Sequence, residues 1–359
     1  MKILAIGLDK NIAKSGSPES SRQEEYSRLF DETHILVLAS GQDKKIGEKL
    51  WIYFSSGSNK ILKFFSAVKK GGLIIKNRRI GVITAQDPFF AGLIGFWLKR
   101  KFGVKLHIQI HTDFLNPYFG RESFLNGIRI KLAKFLLPRA DGIRVVSKRI
   151  ADSIKSSRIK LKAEPVVLPV FVDVEGIKSS LVRTNLRYKY PQFDFIILAA
   201  SRLTKEKNLL LAIRAMARVL KAKPKIGMII AGNGPEREFL LKKIKSMELE
   251  RNIILEPWAG DLVSYLKTAD LFLISSNYEG YGRTIVEAVA AGCRVISSDA
   301  GISREFLDRA SIFSVGDEND LRDKILGAIG GNLAPAKSLA PTTKEQYLIN
   351  YKRALENCL

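Results

Sequence analysis

The sequence predicts an α/β protein of two domains in series, each a parallel β-sheet covered by helices on both faces. Three observations carry that prediction. The chain has 359 residues, more than a single hydrophobic core of about 150–200 residues usually supports. Short apolar, β-branched runs alternate with longer stretches of helical spacing from the first residue onward. After a proline-containing segment near residue 170 the same alternation begins again.

In the first domain, expected to span residues 1–175, residues 2–6, 34–39, 80–84, 104–110 and 142–146 have the composition of buried strands, and residues 87–102 and 124–137 have helical spacing. The opening M-K-I-L-A-I-G-L is a first strand rather than a signal peptide, because Asp9, Lys10 and Asn11 cut the apolar run short. The segment V-V-L-P-V-F-V-D-V-E-G after Pro165 shows little helical pattern and is expected to be an interdomain linker. The second domain, residues 176–342, opens with a strand at 195–200 and a helix from about Asn208. Strands follow at K-I-G-M-I-I-A-G, ending at Gly232, and at 252–255, 270–275 and 294–298. Residues 338–342 are expected as loop, and residues 343–358 as a final helix that packs back on the first domain. There is no close internal repeat, so the likeness of the two domains rests on pattern.

Apolar residues make up 46% and charged residues 26% of the chain, and no run approaches the roughly 18–20 apolar residues of a membrane span. Cys293 and Cys358 are too few to staple a chain of this size or to build a four-ligand metal site, and they suit a reducing cytoplasm. His34, His107 and His111 lack metal-ligand spacing. The net charge is +23, and residues 51–150 hold 19 Lys and Arg against 4 Asp and Glu, whereas the first fifty hold 8 of each. Such an excess suits nucleic acid, anionic lipid headgroups or phosphorylated substrates, and is equally explained by a solvated basic surface. No helix-turn-helix, zinc-finger or aromatic RNA-binding signature accompanies it, so nucleic acid is not an expected partner.

The densest chemical signal is L-F-L-I-S-S-N-Y-E-G-Y-G-R-T-I-V-E. A buried strand delivers Glu279 to a loop at its carboxyl end, Gly280, Tyr281 and Gly282 continue that loop, and the helix that follows holds Glu287. Ligands of open α/β sheets bind at the carboxyl ends of strands, and two glycines let backbone N–H groups approach a phosphate at a helix start. Both carboxylates can accept bonds from sugar hydroxyls. Upstream, A-A-S-R-L-T-K-E-K-N places Arg202 and Lys207 just after the domain's first strand, a bidentate cation and a mobile point charge suited to a diphosphate; taken alone, an exposed basic helix start explains them equally well. In M-I-I-A-G-N-G-P-E-R, Gly232 and Gly234 follow a strand, where a base or ribose could pack on bare backbone; a tight turn explains them equally well, and the third glycine of a dinucleotide fingerprint is missing.

In this order and spacing the three motifs resemble family 4 of the retaining glycosyltransferases, specifically across about residues 196–305 and more loosely over residues 1–175. The resemblance implies the GT-B fold, two Rossmann-like domains whose parallel sheets face across a cleft, the first binding acceptor and the second a nucleotide sugar. It implies that Arg202 and Lys207 bind the donor diphosphate, Glu279 the transferred sugar and Glu287 the nucleotide ribose. His111, in H-I-Q-I-H-T-D-F, stands where family members carry a histidine facing the donor sugar, with Asp113 as an orienting or acceptor-contacting neighbour; a polar strand end is the other reading of that segment. Gly16, in K-S-G-S-P-E-S-S-R, is the nearest equivalent of the family's first glycine-rich loop. Family members typically have Leu-Pro after the second loop glycine, and this chain has Arg283 and Thr284.

The implied reaction moves a hexose-type sugar from a nucleoside diphosphate to a hydroxyl of a glycan or lipid-linked acceptor with retention, in glycan or cell-envelope polysaccharide synthesis. No cofactor is expected beyond the donor substrate. The chain holds no Asp-x-Asp, which favours metal independence, with Arg202, Lys207 and the loop amides stabilising the leaving diphosphate. No carboxylate can be nominated behind the anomeric carbon, so front-face displacement is preferred to double displacement. GT-B folds also host sugar-nucleotide epimerases and phosphorylases, the alternative that the paired-glutamate loop disfavours. F-L-N-G-I-R-I-K-L-A-K-F-L-L from Phe124 and W-L-K-R-K-F from Trp97 mix basic with aromatic and aliphatic residues. They suit an anionic membrane surface or the core face of ordinary α/β helices. The expectation is a cytoplasmic protein held peripherally on the inner membrane face.

Overall fold

The computed structural model describes every residue except Ala259, Ala334, Ser338, Ala340 and Pro341, so three of the five positions of the loop expected at 338–342 lie outside the described residues. The chain forms two compact units. Met1–Leu115, Ser123–Pro169 and Thr343–Leu359 make up the first, and Asn116–Glu122 and Val170–Thr342 the second. The division thus falls at Pro169 rather than at residue 175, and a short segment from the first half of the sequence belongs to the second unit.

The first unit is built on eight strands: β1 (Lys2–Gly7), β2 (Glu32–Val37), β3 (Lys44–Ile46), β4 (Leu50–Phe54), β5 (Val82–Ala85), β6 (Lys105–Ile110), β7 (Gly142–Val145) and β8 (Val166–Val167). Their order is β3-β4-β2-β1-β5-β6-β7-β8. The chain builds outward from β1 through β2 and β4, then returns to the other side of β1, the reversal typical of a Rossmann sheet. All pairings are parallel except β3 with β4. That exception departs from the all-parallel expectation: a turn through Gly47, at φ 58°, folds three residues back as a hairpin, and Lys44 and Lys45 charge the exposed edge.

The expected helix at 87–102 begins at Phe90, with Phe89 as its N-cap; the Asp87 carboxylate, two residues earlier, accepts the N–H groups of Phe89 at 2.7 Å and Ala91 at 3.3 Å and so satisfies donors at the helix start. The helix Lys60–Arg78, capped by Asn59, was not expected. Its apolar residues lie on two faces, and Gly71 and Gly72 weaken its helical character. Both glycines serve packing: a Cβ on Gly71 would stand 2.7 Å from Leu98, and one on Gly72 2.7 Å from the Phe102 ring. The expected linker is largely structured, since Val166 and Val167 pair with β7 and Asp173 caps a helix, Val174–Ser179.

The final helix, Lys344–Glu356, belongs to the first unit and buries Tyr347, Tyr351, Ala354 and Leu355. Tyr351 stacks on Tyr26 at 4.9 Å. Gly142 of β7 lets this end of the chain come close, for a Cβ there would stand 2.3 Å from the Cys358 sulfur. Arg144, buried on β7, donates to the Leu168 carbonyl, to Tyr347 Oη at 3.0 Å and to Gln109 Oε1 at 2.9 Å. A buried guanidinium is tolerated because these partners replace its water.

The second unit has six parallel strands, β9 (Phe195–Ala200), β10 (Ile226–Ala231), β11 (Ile253–Glu256), β12 (Leu271–Ile274), β13 (Arg294–Ser298) and β14 (Ile312–Phe313), in the order β11-β10-β9-β12-β13-β14. Successive β9 residues feed two separate cores. Phe195, Ile197 and Ala199 pack with the helix Leu209–Ala222, and Ile196, Leu198 and Ala200 with the helix Arg283–Ala290. Burial on both faces explains why this strand is a continuous apolar run.

Candidate functional site

In the second unit the strand order reverses between β9 and β12, so the loops leaving their carboxyl ends, residues 201–208 and 275–282, start from adjacent strands and diverge. That reversal opens a crevice in Rossmann sheets. The two loops are stitched together. The Asn277 N–H donates to the Glu206 carbonyl at 2.7 Å, Asn208 Nδ2 to Asn277 Oδ1 at 2.9 Å, and Ser275 Oγ to the Lys207 carbonyl at 2.8 Å. Asn208 turns the chain at φ 46°, a left-handed conformation that asparagine tolerates.

These contacts bring two of the predicted residues together. Lys207 Nζ lies 2.5 Å from Glu279 Oε1, and each side chain is only 15% exposed. Ser276 Oγ donates to the same carboxylate oxygen at 2.7 Å. Gly282, at φ 90°, makes the sharp entry into the helix Arg283–Ala290. Behind the loop, Gly301 approaches so closely that a Cβ would stand 2.4 Å from the Tyr281 carbonyl and 2.9 Å from Glu279 Cβ, while the Ile302 N–H donates to that carbonyl at 2.9 Å. Gly280 and Tyr281 are therefore held between β12 and the turn after β13.

Glu287 is buried in the first turns of that helix, with Arg283 Nε 2.6 Å from its Oε1. Burial raises the Glu287 pKa above the ordinary carboxylate value, and the Arg283 charge opposes the rise. Arg202 is not drawn into the Lys207–Glu279 pair: its side chain is 76% exposed and meets Glu206 at 3.3 Å, an ion pair of little energetic worth. Gly232 and Gly234 serve the neighbouring turn. A Cβ on Gly232 would stand 2.0 Å from the Ser201 carbonyl, and one on Gly234 2.4 Å from the Leu203 carbonyl. Their bare backbone thus accommodates the loop that carries Arg202.

Ser276, Glu206 and Asn277 were not singled out in the sequence, although Ser276 sits three residues before Glu279 at the strand end. Tyr278 gave no signal at all. Its hydroxyl donates to the Glu122 carboxylate and its ring meets Phe119 edge-on at 5.7 Å. Burial, with the nearby Glu122, pushes the phenol pKa upward. The partners come from a helix, Pro117–Glu122, more than 150 residues earlier.

The remaining predicted residues lie in the first unit. His111 follows β6, and its Nε2 is 3.2 Å from Gln109 Oε1. That oxygen already accepts from Arg144, so the imidazole donates through Nε2–H. Desolvation, with the charges of Arg144 and then Arg22, pushes the His111 pKa down to about 4. The His111 side chain is exposed at the end of β6, and its lowered pKa leaves the imidazole neutral at pH 7. Asp113 is buried beside it. Gly16 turns at φ 76°, with open space where a side chain would be, and Ser17 caps the helix Pro18–Ser27 that carries Arg22. Among the described residues no three His, Cys, Asp or Glu side chains are placed to hold a metal ion, and no helix is long and apolar enough to cross a membrane. Cys293 and Cys358 are free and buried. A cavity of about 720 Å³ beside β13 and β14, lined by Asp299, Arg304, Arg309 and Lys337, contains none of the predicted residues.

Residues 24–175 match the family described as Glycosyltransferase Family 4, and residues 186–341 match Glycosyl transferases group 1. The alpha-monoglucosyldiacylglycerol synthase of Streptococcus pneumoniae (strain ATCC BAA-255 / R6) is 27% identical over 235 residues, 62% of this chain and 53% of that protein. The N-acetylgalactosamine-N,N'-diacetylbacillosaminyl-diphospho-undecaprenol 4-alpha-N-acetylgalactosaminyltransferase of Campylobacter jejuni subsp. jejuni serotype O:2 (strain ATCC 700819 / NCTC 11168) is 28% identical over 283 residues, 75% of this chain and 73% of that one. The chain thus matches about half the length of the first relative and about three quarters of the second. Among solved structures, Anabaena HepE in complex with UDP superimposes with a TM-score of 0.70 over 100% of this chain and 94% of that one at 19% identity, a likeness of fold. Two Rossmann sheets, a paired-glutamate loop on the second and family matches over both units place the chain in the group 1 and family 4 glycosyltransferases, with the GT-B fold.

Proposed function

We propose that this protein is a retaining, metal-independent hexosyltransferase that moves a sugar from a nucleoside diphosphate to a hydroxyl of a glycan or lipid-linked acceptor on the inner face of the cytoplasmic membrane. The observation that carries this reading is the Lys207–Glu279 pair at the point where the second sheet reverses direction. A cation and a carboxylate set side by side suit a ligand with a diphosphate next to a polyhydroxyl ring. Lys207 meets the leaving phosphates and Glu279 accepts from the sugar hydroxyls. Arg202, with its exposed side chain, is free to swing onto the same phosphates. Glu287 takes the ribose hydroxyls, and His111 is a neutral imidazole N–H donor of the first unit, suited to a sugar hydroxyl. The two relatives' names both record alpha linkages, the outcome of retention from an alpha-linked donor. They also name a diacylglycerol glycolipid and a diphospho-undecaprenol carrier, which supports a lipid-linked acceptor.

The test is a screen of nucleotide sugars by thermal stabilisation, followed by transfer assays with and without a chelator and NMR of the product's anomeric proton. Arg202→Ala and Glu279→Ala should each lose transfer by at least a hundredfold while remaining folded. Full activity in either variant, or an inverted product, would sink the reading. Nucleoside diphosphate released only when acceptor is present separates a transferase from an epimerase or phosphorylase.

A further inference from the structure

The basic segments of the first unit admit two readings in the sequence, membrane surface or core face, and the placement of their side chains bears on both. Three helices, Lys60–Arg78, Phe90–Phe102 and Phe124–Leu136, lie side by side. Gly71 and Gly72 seat the first against Leu98 and Phe102 of the second, and Gly92 of the second approaches Leu136 of the third. Each helix already has a core-facing side, formed by Ala67, Ile74 and Ile75 on the first, Ile94 and Leu98 on the second, and Ala133 and Leu136 on the third.

The apolar residues in excess of that core point outward. Ile61 is 68% exposed, Phe65 64%, Trp97 51% and Phe124 85%, with Leu62, Leu73, Ile128 and Phe135 also exposed. Phe124, Ile128, Lys131 and Phe135 recur at helical spacing, as do Ile61, Phe65, Lys69 and Leu73. Aromatic contacts bridge the helices beneath this face: the half-buried Phe64 meets Trp97 edge-on at 6.3 Å, and the buried Phe96 meets Phe135 edge-on at 5.5 Å. Between them the three helices carry twelve Lys and Arg (six, three and three) and no Asp or Glu. Scattered exposed apolar residues are ordinary, but aligned stripes on adjacent helices mark an interaction surface.

We propose that this three-helix layer is a docking face for an anionic bilayer. Both halves of its chemistry fit that occupant. The aromatic and aliphatic tips enter the boundary between headgroups and acyl chains, while the lysine and arginine stems lie along the same surface and deliver their charges to lipid phosphates. A nucleic acid would engage the cations and leave Ile61, Phe65 and Phe124 in water. The proposal rests on the transferase reading for its purpose, which is to bring the first unit to a lipid-linked acceptor; the face itself is argued from its own residues.

Co-sedimentation tests it, with vesicles of phosphatidylcholine alone and of phosphatidylcholine with phosphatidylglycerol. The protein should pellet with the anionic vesicles only, be released by raised salt, and show a blue-shifted emission that Trp97→Phe removes. The triple variant Phe65→Ser, Trp97→Ser, Phe124→Ser and the double variant Lys69→Glu, Lys131→Glu should each lose at least tenfold in partitioning with unchanged circular dichroism. Transfer to a water-soluble acceptor should be unaffected in both. Failure of the unmodified protein to bind anionic vesicles, or equal binding by both variants, overturns the proposal. Absence of transfer to any soluble acceptor would count against the enzymatic reading instead and leave the binding result standing.

Discussion

The ammonium of Lys207 and the carboxylate of Glu279 meet at 2.5 Å although 72 residues separate them in sequence. Their loops leave neighbouring strands, so the sheet itself sets the distance. Truncation of one partner leaves the other mostly buried without its counter-charge, at a cost of about 2 kcal/mol. Lys207→Met and Glu279→Gln should each lower the unfolding midpoint, and the double variant should lose less than the sum of the two. Additive losses in this double-mutant cycle would mean that the pair is not coupled.

Arg283 opens the helix that follows Gly282, and its Nε lies 2.6 Å from Glu287 Oε1. Burial raises the Glu287 pKa and Arg283 restrains it. Arg283→Leu should therefore raise it further, so that the carboxylate is lost on acidification at a higher pH. The acid limb of kcat/KM should move upward in pH, with donor binding, followed by thermal shift, weakened at mildly acid pH. An unmoved limb would separate Glu287 from the donor.

His107 is buried, and desolvation, aided by the Arg144 charge, pushes its pKa down to about 3. The unfolded chain takes up a proton near pH 6.5, where the folded chain does not. Stability from this group is thus complete above about pH 6.5 and declines as pH falls toward 3. At pH 5 the loss is about 2 kcal/mol. Tm measured from pH 7 to pH 5 should fall, and His107→Asn should flatten the slope over that window.

Gln109 ties His111 to the interior by accepting from Arg144 and His111 while donating to Thr84 Oγ1 at 2.9 Å. Gln109→Glu sets a carboxylate beside the imidazole, which should raise the His111 pKa from its depressed value and carry the acid limb of kcat upward. Gln109→Asn withdraws the contact without adding charge, so it should reduce kcat about tenfold, as loss of an orienting hydrogen bond does, with the limb unmoved.

The α/β architecture was legible because buried parallel strands are apolar on both faces, as in β9 and β12. The Lys207–Glu279 pair was legible as two motifs but not as a contact, since strand order is absent from local pattern. The helix Lys60–Arg78 escaped notice because residues such as Phe65 put apolar side chains on its outer face and blur the period. Glu122 could not be found at all: its partner Tyr278 comes from another part of the chain, and a single hydrogen bond between distant residues leaves no local mark. The antiparallel β3 depended on Gly47, one glycine among many.

The path of the backbone has a consequence for anyone wishing to divide the protein. Residues 116–122 belong to the second unit and the last 17 residues to the first, so the polypeptide passes from one unit to the other four times. Cutting after Pro169 would strand Phe119 without Tyr278 and uncover Tyr26, Gln109 and Arg144, whose covering helix begins at Lys344. An independently expressed first unit would need the closing helix grafted onto Pro169 and the 116–122 segment replaced by a short polar bridge.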